Sequence, residues 1–316
     1  MRVFITGGSG FVGRAVVAAL SARGDTAVVL SRDASRARQA FGSHSGHVEL
    51  VEGDVTAQGA WQAEVAGCDA VVNLAGESVS ARRWNAQVRQ ILHDSRVDAT
   101  REVVQAIAAS PAERRPRVLV SASGADYYDF EADLGRGAAE LPPEEVTESA
   151  PAGSTFLARL CRDWEAEALE AEKLALRVVL LRCGVVVGGE GGAIERWSRA
   201  FRWFAGGKLG GGRQWMSWVH LDDVVAAYLF AIDTPSLSGP ANLVAPALTR
   251  NRDFARALGA ALGRPAAIPA PSAALRLAVG DFADYLLHGR AVVPRALPAA
   301  GFFFRHPDLL EALKSR

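Results

Sequence analysis

Three glycines spaced by three, Gly7, Gly10 and Gly13, open this chain within Thr-Gly-Gly-Ser-Gly-Phe-Val-Gly at residues 6–13. An apolar run over 2–6 precedes them and reads as a strand. An Ala/Val-rich helical pattern follows to about Arg23. Strand, turn and helix in that order make a cradle for a pyrophosphate. Gly7 permits the tight turn, Gly10 lets the backbone approach the phosphates, and Gly13 lets the helix pack on the strand. Phe11 and Val12 complete the turn. The helix start adds free N–H groups and partial positive charge. The spacing predicts a bound dinucleotide; the plainer alternative is a strand–helix turn that merely needs glycines.

The next candidate residues lie at the ends of further apolar runs. The run over 26–30 ends in Ser31 and Arg32, where a dinucleotide fold meets the adenosine ribose. A carboxylate there would accept from the 2′-OH of NAD, whereas a hydroxyl and a guanidinium suit a 2′-phosphate. NADP(H) is therefore expected over NAD, unless Arg32 is only a solvated loop residue. The run over 47–51 leads to Asp54 and Val55, and the run over 70–74 ends in Leu74-Ala75-Gly76. Small residues there let backbone lie close against a flat ligand. The run over 117–120 opens into Ser121-Ala122-Ser123-Gly124-Ala125-Asp126-Tyr127-Tyr128, a polar cluster where open α/β sheets bind ligands.

These positions require parallel strands separated by helices. The expected fold class is α/β: a doubly wound parallel Rossmann sheet with a smaller mixed C-terminal substrate lobe. The expected partition is 1–184 plus 214–235 for the NADP-binding domain and 185–213 plus 236–316 for the lobe. Residues 85–109 read as one long amphipathic helix; its Arg96 could point at the cofactor or stand as an exposed cation. Residues 129–153 carry Glu131, Asp133, Glu140, Glu144, Glu145 and Glu148 without periodicity. They read as a mobile loop over the site or as a solvated insertion. A helix over 154–173 and a strand over 176–181 follow, then glycine clusters at 188–192 and 206–212. The stretch 214–223 reads as a strand running into a helix that Asp222 caps. Short helices are expected near 250–262, 271–287 and 307–314.

Bulk properties narrow the class. The chain has 316 residues, 49% hydrophobic, with 35 basic and 35 acidic side chains. Zero net charge gives no reason to expect nucleic acid or a membrane surface as partner. No run approaches the roughly 18 apolar residues of a membrane span, and the opening strand does not read as a signal peptide. Cys68, Cys161 and Cys183 are odd in number and far apart, which suggests reduced thiols, a cytoplasmic setting and no metal site. The assembly state is open, with a homodimer as one option.

With these residues in place, the chain resembles the extended short-chain dehydrogenase/reductase superfamily over nearly its whole length. The matching segments are 6–13, Gly-Asp-Val at 53–55, Asn-Leu-Ala-Gly at 73–76, the Ser121/Ser123 strand end and Val-His-Leu-Asp-Asp at 219–223. It is most similar to an atypical, epimerase-like branch of NAD(P)-binding proteins without an established activity. The branch segments are 73–77, Arg-Arg-Trp at 82–84, Ser-Arg at 95–96, Leu-Cys-x-x-Trp-Glu at 160–165, 191–193, 212–220 and 242–246. Its C-terminal lobe is matched at 301–304 and 307–313.

The resemblance implies chemistry by a Ser, a Tyr and a Lys, with Tyr and Lys one helical turn apart. Lysine holds the nicotinamide ribose and lowers the tyrosine pKa, and tyrosine exchanges the proton. Glu165 fits the glutamate that commonly follows the lysine by four, which puts Cys161 in the lysine place and Leu157 in the tyrosine place. Neither can do that work, and no Tyr-x-x-x-Lys occurs in the sequence. The catalytic candidates that remain are Ser123, matching the superfamily serine, and Tyr127, with Tyr128 beside it. An unassisted phenol near pKa ~10 is a poor acid at neutral pH. Arg96 stands where many members have Asn. Cys161 reads as a small packing residue over the nicotinamide ribose, and His220 as a candidate base or a buried histidine bonded to backbone. Two functions follow: an NADP(H)-dependent oxidoreductase or epimerase acting on an unknown small polar substrate, or a catalytically impaired NADP(H)-binding sensor or scaffold.

Overall fold

A computed structural model of the chain describes residues 1–41, 46–130, 144–189 and 191–315. Its strands are β1 (Arg2–Thr6), β2 (Thr26–Ser31), β3 (Val48–Glu52), β4 (Ala70–Asn73), β5 (Val118–Gly124), β6 (Arg177–Cys183), β7 (Val185–Val187), β8 (Trp218–His220) and β9 (Gly239–Leu243). Seven of them form one parallel sheet in the order β3-β2-β1-β4-β5-β6-β9; β7 and β8 pair separately, also parallel. The order turns about β1, whose neighbours β2 and β4 lead to opposite edges. That leaves a crevice beyond the strand ends.

Both faces of the sheet are covered, which explains why its strands read as continuous apolar runs. Alternation along β1 divides the load. Val3 and Ile5 pack with Val16, Val17 and Leu20 of α1 (Phe11–Ala22) and with Val224 and Ala227 of α6 (Leu221–Asp233). Phe4 faces the other way, stacked on Trp61 and in one cluster with Val103 and Ile107 of α3 (Ala86–Ala109). Asn85 caps α3 by accepting from the Val88 amide at 2.8 Å. Thr155 caps α4 (Phe156–Leu169) in the same manner. The short α2 (Ala34–Phe41) follows β2.

Beyond the sheet, α5 (Gly192–Arg202), α7 (Asn251–Leu262) and α11 (Leu309–Lys314) enclose a core of Ile194, Phe201, Trp218, Phe254, Leu258 and Leu313. The stretch 271–287 is two helices, α8 (Ser272–Val279) and α9 (Phe282–Leu287), broken at Gly280 with φ +65°. A single turn, α10 (Ala296–Ala299), lies before the C-terminal segment.

Three expectations are corrected. Residues 239–243, read with the lobe, are the edge strand of the central sheet. Asp222 does not cap α6: His220 does, its Nδ1 accepting from the Asp222 amide at 3.1 Å. The acidic stretch 129–153 is anchored in its second half, where one Glu148 oxygen accepts from the amides of Asn242 (2.9 Å), Arg295 (3.1 Å) and Ala296 (3.0 Å). Its residues 131–143, with Glu131, Asp133 and Glu140, lie outside the described residues.

Candidate functional site

The turn after β1 is shaped by contacts that exclude side chains. Gly7 has φ +66°, and a Cβ there would lie 2.5 Å from the Leu74 carbonyl oxygen. A Cβ on Gly13 would lie 2.2 Å from the Gly7 oxygen. The Gly10 amide donates to that same oxygen at 2.9 Å, closing the turn as α1 begins. Above it a cavity of about 540 Å³ occupies the crevice at the ends of β1, β2, β3 and β4. It brings together Gly7, Gly10, Ser31, Arg32, Asp54, Val55, Leu74, Ala75 and Gly76 from the expected set, and adds Arg14, Arg36 and Thr56. Its volume lies in the ordinary range of ligand pockets. A turn blocked to any Cβ, with guanidinium groups around it, fits the phosphates of a dinucleotide.

The side chains near the end of β2 are divided in their duties. Asp33 lines the cavity, but its carboxylate accepts from the Arg36 amide (2.9 Å) and the Ser35 hydroxyl (2.7 Å), capping the start of α2. These bonds, the Arg36 amide first, hold its pKa below the ordinary aspartate value. Arg32 is 74% exposed and stands 3.7 Å from Glu77 across the mouth. Arg36 reaches the same edge one helical turn on. The Asp54 carboxylate is fastened within its own turn, accepting from the Thr56 amide at 2.9 Å and hydroxyl at 2.8 Å. Those bonds keep its pKa low.

The remaining cofactor candidates sit behind or beside this cavity. Phe11 lines a second cleft and Val12 packs on the core near α1. Arg96 points inward: it donates to the Glu77 carbonyl at 2.9 Å and the Leu92 carbonyl at 3.2 Å, beneath Gly76 and against Trp164. Burial lowers its pKa. Cys161 is buried below Gly124, where a Cβ would lie 3.3 Å from the thiol, and burial pushes that thiol up to about 12. It is a neutral packing residue at physiological pH.

A buried network claims the catalytic candidates. Ser123 donates to Glu165 at 2.6 Å, and Arg182 grips both oxygens of that carboxylate at 2.8 and 2.7 Å. Arg182 also donates to the Tyr128 hydroxyl (2.9 Å), which donates to Asn242 (2.6 Å). The Tyr127 ring lies 3.4 Å from the Arg182 guanidinium, and Tyr127 lines neither cavity. A parallel belt ties Thr6, Asn73, Thr100 and Ser121 across the strand ends. His220 is a buried cap with the His306 ring tilted against it, centroids 3.9 Å apart; it lines neither cavity, and burial lowers its pKa.

The second cleft, about 340 Å³, has Phe11, Trp197, Trp215, Met216 and Tyr285 as apolar walls. Asp126 and Arg290 bring charge into it, 3.5 Å apart. Arg36, Arg290 and the pairing of Glu165 with Arg182 were not expected from the sequence, where Asp126 stood only within the polar cluster at 121–128. For Arg36 a signal existed in its four-residue spacing from Arg32. Arg290 comes from a segment with no recognisable pattern.

Comparison with known proteins agrees with this geometry. The profile of the NAD dependent epimerase/dehydratase family matches residues 3–244, and that of a domain of unknown function, DUF1731, matches 270–315. The chloroplastic epimerase family protein SDR39U1 homolog of Arabidopsis thaliana is 39% identical over 317 residues, covering 100% of this chain and 86% of that protein. Epimerase family protein ML0860 of Mycobacterium leprae is 38% identical, covering 98% and 94%. The crystal structure of human epimerase family protein SDR39U1 with NADPH superposes with a TM-score of 0.84 at 34% identity, covering 99% of this chain and 98% of that one.

Proposed function

The chain belongs to the NAD dependent epimerase/dehydratase family, and from that premise we propose that it binds NADP(H) and transfers hydride to or from a small polar substrate. The cofactor choice is carried by one observation: Arg32 and Arg36 flank the β2 edge of the 540 Å³ cavity, while the nearby Asp33 carboxylate is committed to α2. Guanidinium groups suit a 2′-phosphate, and a free carboxylate would suit a 2′-hydroxyl. NADPH in the human relative supports the same choice.

In this reading the Gly7–Gly13 turn holds the pyrophosphate, Arg32 and Arg36 the 2′-phosphate, and Asp54–Val55 with Leu74–Gly76 flank the adenosine. The bound nicotinamide would accept or donate the hydride. Arg96 fixes the β4 loop by its bond to Glu77. The second cleft, beside Phe11, takes the substrate. Arg32→Ala should weaken NADPH about ten- to a hundredfold, as loss of a charge-assisted contact does, and leave NADH nearly unchanged in a fluorescence titration. Equal losses would reject the NADP(H) assignment.

A second reading, NADP(H) binding without turnover, draws on the buried network. The Ser123 and Tyr128 hydroxyls are engaged there, and Leu157 and Cys161 stand where the family resemblance places the acid and its lysine. A panel of aldehydes and ketones that leaves bound NADPH unoxidised would favour it.

A further inference from the structure

Polar side chains crowd the stretch from Ser121 to Tyr128, yet most of them are occupied. Ser121 accepts from Asn73 at 3.3 Å, Ser123 donates to Glu165, and Tyr128 is held between Arg182 and Asn242. Asp126 differs. It lines the second cleft with 46% of its side chain exposed, and the carboxylate lies 3.5 Å from Arg290. Arg290 is itself fixed by donating to the carbonyls of Ala125 (3.1 Å) and Tyr128. The charged and titratable groups around Asp126 come from three directions: Arg290 after α9, Arg96 on α3 and Cys161 on α4. Tyr285 and Asp129 face Arg290, and His288 lines the same cleft.

We propose that Asp126 is the catalytic residue that exchanges a proton with the substrate oxygen in the second cleft, a role that rests on the hydride-transfer reading above. In the reducing direction, the carboxylic O–H bond breaks as an O–H bond forms on the substrate's carbonyl oxygen. The carbonyl carbon takes a hydride from the reduced nicotinamide, and the electron pair of the broken bond stays on Asp126. Arg290 then faces a carboxylate, and water returns the proton. Although the Asp126 side chain reaches the open cleft, the protein packed around its carboxyl raises the pKa above the ordinary 3.8, with Arg290 and Arg96 pulling the other way. A group so placed can hold a proton and yet give it up, leaving a carboxylate that Arg290 stabilises. Leu157 leaves the position of the usual phenol with nothing to donate, so in the hydride-transfer reading the proton comes from another group.

Two measurements on the full chain test the role. The carboxyl ¹³C resonance that disappears in Asp126→Asn should titrate above 3.8 in the wild-type protein, and higher still in Arg290→Met; a midpoint at or below the ordinary value overturns the proposal. With NADPH and a panel of aldehydes and ketones, Asp126→Asn should lower kcat about a hundredfold or more, with NADPH affinity unchanged and partial recovery in Asp126→Glu. Wild-type turnover in Asp126→Asn overturns the Asp126 role alone. A wild-type chain that binds NADPH but turns over no member of the panel overturns the hydride-transfer reading, and Asp126's role with it.

Discussion

At the scale of single residues, Ser123 shows how a position can be legible while its duty is not. Its place at the end of β5 follows from the sequence, but its 2.6 Å bond to Glu165 depends on α4 and β6 arriving beside it. Long-range partners leave no local pattern. The Glu165–Arg182 pair is almost wholly buried, with side chains 6% and 4% exposed, so removing one charge strands the other in low dielectric. Glu165→Gln should cost about 3–5 kcal/mol in urea unfolding. Ser123→Ala, which removes one hydrogen bond to a charged group, should cost only about 1.5–3 kcal/mol. A near-neutral Glu165→Gln would refute the view that this pair holds β5, β6 and α4 together at the site.

At the scale of elements, the cradle was the most legible part, because steric necessity is local. Gly13 must be glycine: a Cβ would sit 2.2 Å from the Gly7 oxygen and 2.7 Å from the Gly8 Cα. Gly13→Ala should therefore push α1 off β1, destabilise by about 1–3 kcal/mol as overpacking does, and cut NADPH affinity. Gly46→Ala, where nothing lies within 4 Å, is the control and should change neither. Equal behaviour of the two variants in thermal melts and cofactor titration would remove the steric argument. The glycines at 188–192 stand out in the sequence, but what they pack against does not. They wrap the Phe11 ring, with Cβ positions on Gly191 and Gly192 2.9 and 3.0 Å from it, and fit Gly188 against His220. Strand β9 was missed for a physical reason. Gly-Pro-Ala-Asn-Leu has no β-branched residue, and only an edge strand tolerates its proline.

At the scale of the whole molecule, the C-terminal segment is fastened to the sheet domain where α6 begins, and a buried histidine at that joint leads to an expected pH dependence. The fully buried Asp223 accepts from the amides of Arg305 (2.7 Å) and His306 (3.0 Å), which brings the His306 ring, tilted, against His220. His220 accepts from the Asp222 amide and meets Ser315 through Nε2 at 3.2 Å. Burial first, and then the neighbouring His306, hold the His220 pKa below 6.5, against the opposing pull of Asp222, the Ser315 backbone and Asp223. The sign follows from which state binds the proton. The unfolded chain takes it up near 6.5 and the folded chain does so only lower, so acidification through that window favours unfolding. Above 6.5 both states are neutral and the term is absent. His220→Asn keeps an acceptor at the cap and removes the titration. Between about pH 7 and 5.5 the wild-type Tm should therefore fall more steeply than that of His220→Asn, whatever their difference at pH 8. Parallel slopes would mean that the histidine takes its proton as readily folded as unfolded, and that the joint between α6 and the C-terminal segment is insensitive to pH.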